Sequence, residues 1–339
     1  MSACSNKSAW LCVLVLACTK DPPAERDAAA MTSEGTFDAS SLGSFTFIDA
    51  EPSVAVADAA PPPELDLAPY LVAKPTSAKS IGHTSVVLKV ELSGGLTAAF
   101  KPESKRGHSR YRGEIAAYRL GRALGLRNVP PAIGRTFDAT ALRAAATKNA
   151  KALSLYDDEV VAHAGYVRGA LMPWIASLEF LPIETDPWRV KWTKWLAADQ
   201  EMPVTDKDLA AQISTLIVFD TITGNWDRWS GANVGIDKAT NTLLFVDNDG
   251  AFFEPAPAAP LAAQLARLAK VDRYSLRFIA AVRALEPIAL SDAIGEEVPG
   301  TPLLGPKTLA SADERRRRVL AIIDEKIAKL GFATVFAFD

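Results

Sequence analysis

The chain has very little cysteine. Only three cysteines occur among its 339 residues, and all three lie in the first eighteen positions, at Cys4, Cys12 and Cys18. No disulfide and no cysteine-ligated zinc site can therefore form in the rest of the chain. An excess of positive charge is also lacking, because 37 Lys and Arg residues face 40 Asp and Glu residues. This balance excludes nucleic acid as the main partner, since no broad cationic surface is expected.

Long hydrophobic runs are absent beyond the N-terminus. No such run approaches the ~18 residues that a membrane-spanning helix needs. The overall composition, with 49% hydrophobic and 23% charged residues, is ordinary for a soluble globular chain. The length allows one large domain or two smaller ones.

The N-terminus resembles an export signal. A short segment with one lysine precedes the apolar block Ala9–Ala17, which has the length of a signal-peptide core and is too short to span a bilayer. The block ends in Val15-Leu16-Ala17-Cys18, which resembles a bacterial lipobox. We expect Cys18 to be lipidated and to begin the mature chain. The alternative is a buried first helix or strand.

The segment that follows is rich in alanine and proline. It runs from Thr19 to about Ala68 and contains few large apolar residues. Such a composition buries too little apolar surface to offset the loss of chain entropy. We therefore predict a disordered tether over residues 19–69.

A β-hairpin is predicted over residues 86–101. Its first strand, Val86–Leu92, alternates in hydrophobicity, a Ser-Gly-Gly turn follows, and its second strand ends at Lys101 before a proline. The entry to the hairpin contains Gly82, Thr84 and Ser85, whose backbone N–H groups could approach phosphate oxygens. This signal is weak by itself.

A helix is predicted after the hairpin. Glu114 begins an amphipathic stretch that reaches Leu124, and Gly125 ends it. A strand lysine, Lys101, followed by a helical Glu114 is the pair that positions ATP phosphate in protein kinases. The alternative is two unrelated charges, with Glu114 favoured by the helix dipole. Farther on, Ala139–Ala152 predicts an inserted helix.

Acidic residues cluster around a second hairpin. Asp227 follows an apolar helix, Asn233 comes six residues later, and Asp247 directly follows the strand Thr242–Val246. This order fits phosphoryl transfer, with one Asp as base and an Asn and a second Asp as metal ligands. The alternatives are an Asx turn at Asp227 and an acidic β-turn at Asp247. Both motifs together, downstream of Lys101 and Glu114, favour a kinase.

Three further features are ambiguous. Met172 lies where a strand and hinge would cover an adenine ring, or it is a core residue. Trp188, Trp192 and Trp195 share one helical face, for core packing or for stacking on a sugar. The four consecutive arginines Arg315–Arg318 open a last helix, and we expect them on a solvated face, with a contact to anionic lipid or phosphorylated substrate as the alternative.

These segments together resemble the secretory-pathway kinase family of the Golgi, which includes Golgi casein kinase, the proteoglycan xylose kinase and four-jointed. The resemblance extends over nearly all of residues 80 to 335. It is carried by five segments: Ala99–Pro102, Glu114–Tyr118, Gly125–Arg135, Gly224–Arg228 and Val246–Asn248. The Gly-Asn-x-Asp-Arg motif alone also resembles HipA-like and spore-coat kinases.

The resemblance implies an α+β, two-lobed protein-kinase-like fold with a β-rich N-lobe and a mainly helical C-lobe. The two lobes are expected over residues 70–172 (N-lobe) and 173–339 (C-lobe). They follow the segments that the sequence itself predicts, 1–18 for the signal and anchor cysteine and 19–69 for the tether. The resemblance further implies ATP with Mg²⁺ or Mn²⁺ and an acceptor hydroxyl on protein Ser/Thr or a glycan. The lipobox-like segment at Cys18, in contrast, predicts a lipid-anchored place in the cell envelope, with secretion as the alternative.

The resemblance also assigns roles to residues. Lys101 contacts ATP phosphate, Glu114 pairs with it or reaches metal, Asp227 is the catalytic base, and Asp247 binds metal with Asn233. Arg228 is expected to brace the loop.

Two departures stand out: the body lacks the disulfides of the Golgi enzymes, and Trp229 replaces the histidine that commonly follows Asp-Arg. Two other functions stay open, a catalytically silent nucleotide-binding module on the envelope and a HipA-like kinase with a cytosolic target.

Overall fold

A five-stranded antiparallel sheet forms the first part of the structure. This computed structural model describes residues 65–82, 85–231 and 233–338. The predictions on the signal segment, on Cys18, on most of the tether and on Thr84 lie outside these residues. The strand order is β1-β2-β3-β5-β4. Its strands are β1 (Pro75–Ser80), β2 (Leu88–Leu92), β3 (Thr97–Pro102), β4 (Ile133–Asp138) and β5 (Tyr166–Pro173).

Alternation along the strands gives the sheet two different faces. Phe100 and Leu171 lie on one face, in a hydrophobic cluster with residues of the helices that connect β4 to β5. Ala170 lies on the other face, in the core that continues into the helical part. Lys101 lies opposite Ala170 in the β3–β5 register, and directly opposite residues share a face. The predicted hairpin thus brings Lys101 to the face that meets the helices.

Eleven helices are present in the described residues. Those that accompany the sheet are α1 (Ala68–Val72), α2 (Tyr111–Ala123), α3 (Ala139–Ala146) and α4 (Ala150–Glu159). Those that follow are α5 (Trp188–Leu196), α6 (Lys207–Thr223), α7 (Ala258–Leu268), α8 (Leu276–Ala284), α9 (Pro287–Ile294), α10 (Pro306–Leu330) and α11 (Phe332–Val335). None of them is long and apolar enough to cross a membrane.

The inserted helix predicted over residues 139–152 is in fact two helices. Asp138 caps α3 by accepting a hydrogen bond from Ala141 N, and Asn149 caps α4 in the same way through Ala152 N. A cap residue has non-helical backbone angles, so Asn149 interrupts the helix where the alanine-rich composition alone suggested continuity.

A small sheet lies within the helical part. It consists of β6 (Leu178–Phe180), β7 (Val234–Asp237) and β8 (Thr242–Phe245) in the order β6-β7-β8. A separate two-stranded ribbon contains β9 (Glu296–Val298) and β10 (Thr301–Pro302). The β7–β8 hairpin begins just after Asn233 and ends two residues before Asp247, so it holds these two residues at the same end.

The arginines of α10 do not all lie on a solvated face, so that expectation is wrong. Arg315 and Arg316 are buried. Arg315 donates hydrogen bonds to the carbonyls of Ile222 (2.9 Å) and Thr223 (3.3 Å) at the C-terminal end of α6. Those carbonyls lack partners within their own helix and carry the negative end of its dipole. Arg315 therefore stabilises the end of α6 from which the Asp227 loop starts.

Candidate active site

The ammonium group of Lys101 lies among three carboxylates. Its Nζ is 2.5 Å from Glu114 Oε1, 2.5 Å from Asp247 Oδ1 and 3.4 Å from Asp249 Oδ2. We call these four residues, together with Arg110, which pairs with Asp249, the Lys101 cluster. A strand, a helix and the loop after β8 each contribute to it. The structure thus brings Lys101 together with Glu114, 13 residues away in sequence, and with Asp247, 146 residues away.

The three carboxylates fix the charge of Lys101. Burial by itself would lower the pKa of its ammonium group, but the charges of Asp247, Glu114 and Asp249 outweigh burial and raise that pKa well above its ordinary value. Conversely, burial would raise the pKa of Asp247, and the charge of Lys101 reverses this and lowers it. Lys101 and Asp247 are therefore both ionised at neutral pH.

Glu114 joins α2 to the loop that carries Asp247. Its Oε1 accepts from Lys101 Nζ and from Asn248 N (3.0 Å), and its Oε2 accepts from Asn248 Nδ2 (3.4 Å). Both oxygens are thus used by protein donors and the residue is buried. This geometry favours Glu114 as the partner of Lys101; its second predicted role, as a metal ligand, stays a prediction.

Asp249 and Arg110 were not among the predicted site residues. Arg110 donates to Asp249 Oδ1 (2.7 Å) and to the Asp249 carbonyl (3.2 Å), and its guanidinium lies 5.3 Å from the centre of the Trp226 ring. Burial raises the pKa of Asp249 to about 6, and nearby Asp247 and Glu114 act in the same direction. The sequence signal for Asp249 was the second carboxylate of the Asp-Asn-Asp-Gly run; nothing comparable marked Arg110.

Two glycines allow α2 and the Asp227 loop to approach the Asp247 loop. A Cβ at Gly113 would lie 2.6 Å from the carbonyl oxygen of Asn248, and one at Gly250 would lie 2.8 Å from Asn225 Oδ1. Neither position has room for a side chain. Close contact at these points holds both α2, which carries Glu114, and the Asp227 loop against the loop that carries Asp247.

The loop after α6 presents Asp227. Helix α6 ends at Thr223. The next residue, Gly224, has left-handed backbone angles (φ 66°, ψ 32°) and turns the chain out of the helix. Asn225 then donates to the Asp247 carbonyl (3.3 Å) and accepts from Asp227 N (3.3 Å). Asp227 itself is half-buried. No hydrogen bond or ion pair from the described residues reaches its carboxylate, which leaves that carboxylate able to accept a proton.

Arg228 braces this loop, as expected. It is buried and pairs through Nε with Asp220 of α6 (3.1 Å). Its two other nitrogens donate to the carbonyls of Asn233 (2.6 Å) and Val246 and to Asn248 Oδ1 (2.5 Å). Burial raises the pKa of Asp220 to about 6 in spite of the attraction of Arg228. One guanidinium group thereby connects α6, the Asp227 loop and the Asp247 loop.

Asn233 lies beside these residues at the start of β7. Its Nδ2 donates to the Asp227 carbonyl (2.8 Å) and to Ser230 Oγ (3.3 Å). Since the amide nitrogen is engaged, the side-chain oxygen is the atom that remains for a ligand. Asn233 O and Val246 O accept from the same nitrogen of Arg228, so Asn233 and Asp247 are neighbours at the end of the β7–β8 hairpin.

The other residues predicted to bind the nucleotide, Gly82, Ser85 and Met172, do not belong to the Lys101 cluster. Gly82 and Ser85 lie between β1 and β2, and the hydrogen bonds of Gly82 go to Val87 and Lys151. Met172 lies opposite Ala99 in the β3–β5 register and is half-buried, on the same sheet face as Lys101. The structure therefore places Met172 on the face of the Lys101 cluster. Gly82 and Ser85 lie in the turn between β1 and β2, at the end of the sheet where Leu88 pairs with Phe100.

The donor chemistry of the site suits a hard divalent cation. Asp247 and Asp249 supply carboxylate oxygens and Asn233 an amide oxygen, the ligand types that Mg²⁺ and Mn²⁺ prefer. The side chain of Asp247 is 38% exposed, so it can reach a ligand, whereas that of Glu114 is 3% exposed. Within the described ranges, no three His, Cys, Asp or Glu side chains already converge on one metal position. Lys101 lies between the carboxylates instead.

Known proteins resemble this chain in sequence. Residues 103–244 match the sequence model of the four-jointed box protein middle domain. Glycosaminoglycan xylosylkinase from Homo sapiens is 23% identical over 326 residues, which covers 82% of this chain and 78% of the relative.

Solved structures resemble it in fold. Hydra Fam20, solved with sugar, aligns with a TM-score of 0.61 at 19% identity, over 79% of this chain and 89% of that one. The Golgi casein kinase, solved with Mn and ADP bound, aligns with a TM-score of 0.60 at 18% identity, over 80% and 77%. These comparisons confirm the resemblance to the secretory kinase family and the two-lobed kinase-like fold. Relatives that carry kinase names indicate that the chain is a kinase.

Proposed function

We propose that this kinase is an ATP-dependent phosphotransferase that moves the γ-phosphate of ATP to a hydroxyl of a protein Ser/Thr or of a glycan. One observation carries the proposal: Lys101 Nζ lies 2.5 Å from both Glu114 and Asp247, beside a loop whose Asp227 carboxylate is available. A strand lysine, a helical glutamate, a base and a metal-binding aspartate are the parts that phosphoryl transfer requires.

Asp227 would act on the acceptor. Its carboxylate accepts the proton of the acceptor hydroxyl, and the hydroxyl oxygen bonds to the γ-phosphorus. The bond from that phosphorus to the bridging oxygen breaks, and ADP leaves with the electron pair. Lys101 would balance negative charge on the phosphate oxygens, because its ammonium is held in place by two charged partners and stays protonated.

Asp247, Asn233 and Asp249 are the residues that would hold Mg²⁺ or Mn²⁺. When bound, such an ion neutralises charge on the ATP phosphates. The arrangement of charge supports this assignment, because three carboxylates of the Lys101 cluster face only two cations, Lys101 and Arg110. The excess of negative charge favours binding of a further cation.

The test is a phosphate-transfer screen with the full-length chain. Radiolabelled ATP with Mg²⁺ or Mn²⁺ is offered with casein, acidic serine peptides and xylosylated acceptors, beside Asp227→Ala and Asp247→Ala. The proposal predicts transfer to at least one acceptor and its loss in both variants. Metal-dependent ATP binding by the wild type without any transfer would instead favour a catalytically silent nucleotide-binding module.

We also propose that the chain is a lipid-anchored envelope protein. The lipobox-like Val15-Leu16-Ala17-Cys18 supports this proposal. In the native host, palmitate labelling should occur in the wild type and be lost in Cys18→Ser. Equal labelling of the two, or none in the wild type, would contradict it and would leave a HipA-like cytosolic kinase as the better interpretation.

A further inference from the structure

Helix α2 has two faces that contact different parts of the molecule. Arg110, Gly113 and Glu114 follow helical spacing, so they lie on one face, which meets the loop after β8. Arg112 and Arg119 lie about two turns apart on the opposite face. This second face meets the ribbon of β9 and β10 and the end of α9.

Glu297 of β9 binds the start of α2. Its Oε1 accepts from the Tyr111 hydroxyl, and its Oε2 accepts from Arg112 at 2.6 Å. The Glu297 side chain is 8% exposed, so little solvent competes for these bonds. Burial and the Glu297 carboxylate raise the pKa of Tyr111 well above its ordinary value, which keeps its hydroxyl a donor. Glu297 thus joins the ribbon to the two residues that directly precede Gly113.

Arg119 makes a second attachment to the same region. Its Nη1 donates to the carbonyl of Ile294 (2.7 Å), at the end of α9, and to that of Glu296 (2.8 Å), in β9. The side chain of Glu296 accepts from Gly300 N (2.9 Å), which closes the turn between the two strands of the ribbon. Helix α2 is therefore bound at its first turn and again about two turns later.

Apolar packing does not by itself fix the position of α2 along its axis. Several buried residues of this helix have no bulky side chain: Gly113, Ala116, Ala117 and Gly121. Apolar burial is non-directional, whereas a hydrogen bond weakens when either partner moves or turns. The bonds from Tyr111, Arg112 and Arg119 therefore set the axial position and the rotation of the helix.

The Lys101 cluster needs a precisely placed α2, because Glu114 is bonded from two directions. Its Oε1 accepts from Lys101 Nζ (2.5 Å) and from Asn248 N (3.0 Å). A shift of α2 by about 1 Å would break at least one of these bonds. In protein kinases the ion pair of lysine and glutamate must be in place for catalysis, and the position of the helix controls it.

We infer that Glu297 is a positioning residue of this kinase. Through Tyr111 and Arg112 it holds α2 where Glu114 binds both Lys101 and the loop after β8. The inference rests on the proposed function for its catalytic meaning, whereas the positioning itself is measurable without nucleotide. The ribbon thus controls the geometry of the Lys101 cluster from the opposite face of α2.

The first measurement is amide hydrogen exchange of the full-length chain without nucleotide, followed by mass spectrometry. Glu297→Gln keeps the size of the side chain and removes its charge. We expect the peptide over residues 246–250 to exchange about tenfold faster, because the Asn248 amide loses a fixed acceptor and its loop opens locally. Among the residues that the structure describes, no hydrogen bond or ion pair joins Glu297 to that peptide. The effect therefore reaches it through α2.

The matched control is Glu296→Gln. It removes the same charge from the neighbouring residue of β9, whose side-chain bond to Gly300 lies within the ribbon. Exchange over residues 246–250 should be unchanged. A second variant, Tyr111→Phe, keeps the buried ring and removes one bond to Glu297, so it should speed this exchange about threefold. Should Glu297→Gln fail to fold, Tyr111→Phe decides the question.

The second measurement is calorimetric titration of ADP in the presence of Mn²⁺. Glu297→Gln should lower the affinity about tenfold, in proportion to the local opening. In a Glu114→Gln background the same change should lower the affinity no further, because Glu297 acts through Glu114. A residue that only stabilises the fold would give equal losses in the two backgrounds.

Three results would overturn the inference. The first is exchange over residues 246–250 that is the same in Glu297→Gln, Tyr111→Phe and the wild type. The second is exchange that rises equally over the whole chain, which would assign Glu297 to general stability. The third is an equal loss of ADP affinity in the two backgrounds. If the wild type binds no ADP, the proposed function fails, and the exchange measurement still decides the role of Glu297.

Discussion

Two buried groups of charged residues lie beside the Asp227 loop, and they differ in how completely the protein satisfies them. The Asp220–Arg228 pair has one acid and one base, with side-chain exposures of 1% and 0%. Every nitrogen of the Arg228 guanidinium donates to a protein acceptor. The Lys101 cluster has more acids than bases, and its Asp247 side chain is 38% exposed.

This difference separates a structural role from a ligand-binding one. A closed, fully bonded pair leaves no donor or acceptor for a ligand, so Asp220 and Arg228 can only hold the loop. A cluster with surplus negative charge and an accessible carboxylate carries an unfavourable arrangement that a cation would relieve. The surplus of negative charge at Asp247 is therefore best explained by a cation that the site binds.

The largest expected effect is on the closed pair. Arg228→Met should lower the free energy of unfolding by about 3–5 kcal/mol, because it leaves Asp220 buried without a partner. Urea denaturation measures this change. The matched control is Arg143→Met, which breaks an exposed pair with Asp157 and should destabilise the fold far less, because solvent screens that pair. Equal losses of unfolding free energy in the two variants would mean that Arg228 does not stabilise the Asp227 loop.

A smaller effect is expected where α2 meets the Asp247 loop. Gly113→Ala places a methyl group 2.6 Å from the Asn248 carbonyl and should destabilise the fold by about 1–3 kcal/mol. It should also weaken nucleotide binding, since the shift separates Glu114 from Asn248. Gly134→Ala is the control, because its Cβ meets only Ile115 Cδ1 at 3.7 Å. If nucleotide binding survives in Gly113→Ala, the packing of α2 does not position the cluster.

The smallest effect concerns the pH dependence of stability. The folded-state pKa of Asp249 is raised to about 6, above its ordinary value of 3.8. A raised carboxyl pKa contributes stability below its unfolded value, and this stability is lost as pH rises through the folded value. The difference in unfolding free energy between wild type and Asp249→Asn should therefore fall by about 1–2 kcal/mol between pH 4 and 6. A flat difference across this range would show that burial does not raise the pKa of Asp249 in the folded protein.

Patterns within short stretches of sequence predicted those parts of the fold that depend on neighbouring residues. Alternation along Val86–Leu92 predicted the hairpin, and Gly125 predicted the end of α2. The sequence also identified Lys101, Asp227 and Asp247 as candidate site residues. Each lies at a strand end or after a helix end, where side chains of different elements meet. The resemblance to a known family then supplied their expected roles.

Contacts between distant segments could not be predicted in this way. Arg315 looked like one of four solvated cations, since only the folded chain brings the end of α6 to α10. Arg110 has no motif of its own, and its role appears only when Asp249 is beside it. Asn248 was passed over because its partners, Glu114 and Arg228, lie 134 and 20 residues away.

The central claim is that the Lys101 cluster binds a nucleotide together with a divalent metal, and calorimetric titration of ADP into the full-length chain tests it most directly. The account predicts binding that depends on Mn²⁺ or Mg²⁺, and loss of the metal-dependent part in Asp247→Asn while Asp227→Asn retains it. ADP affinity that is the same with and without metal, or the same in wild type and Asp247→Asn, would contradict the account.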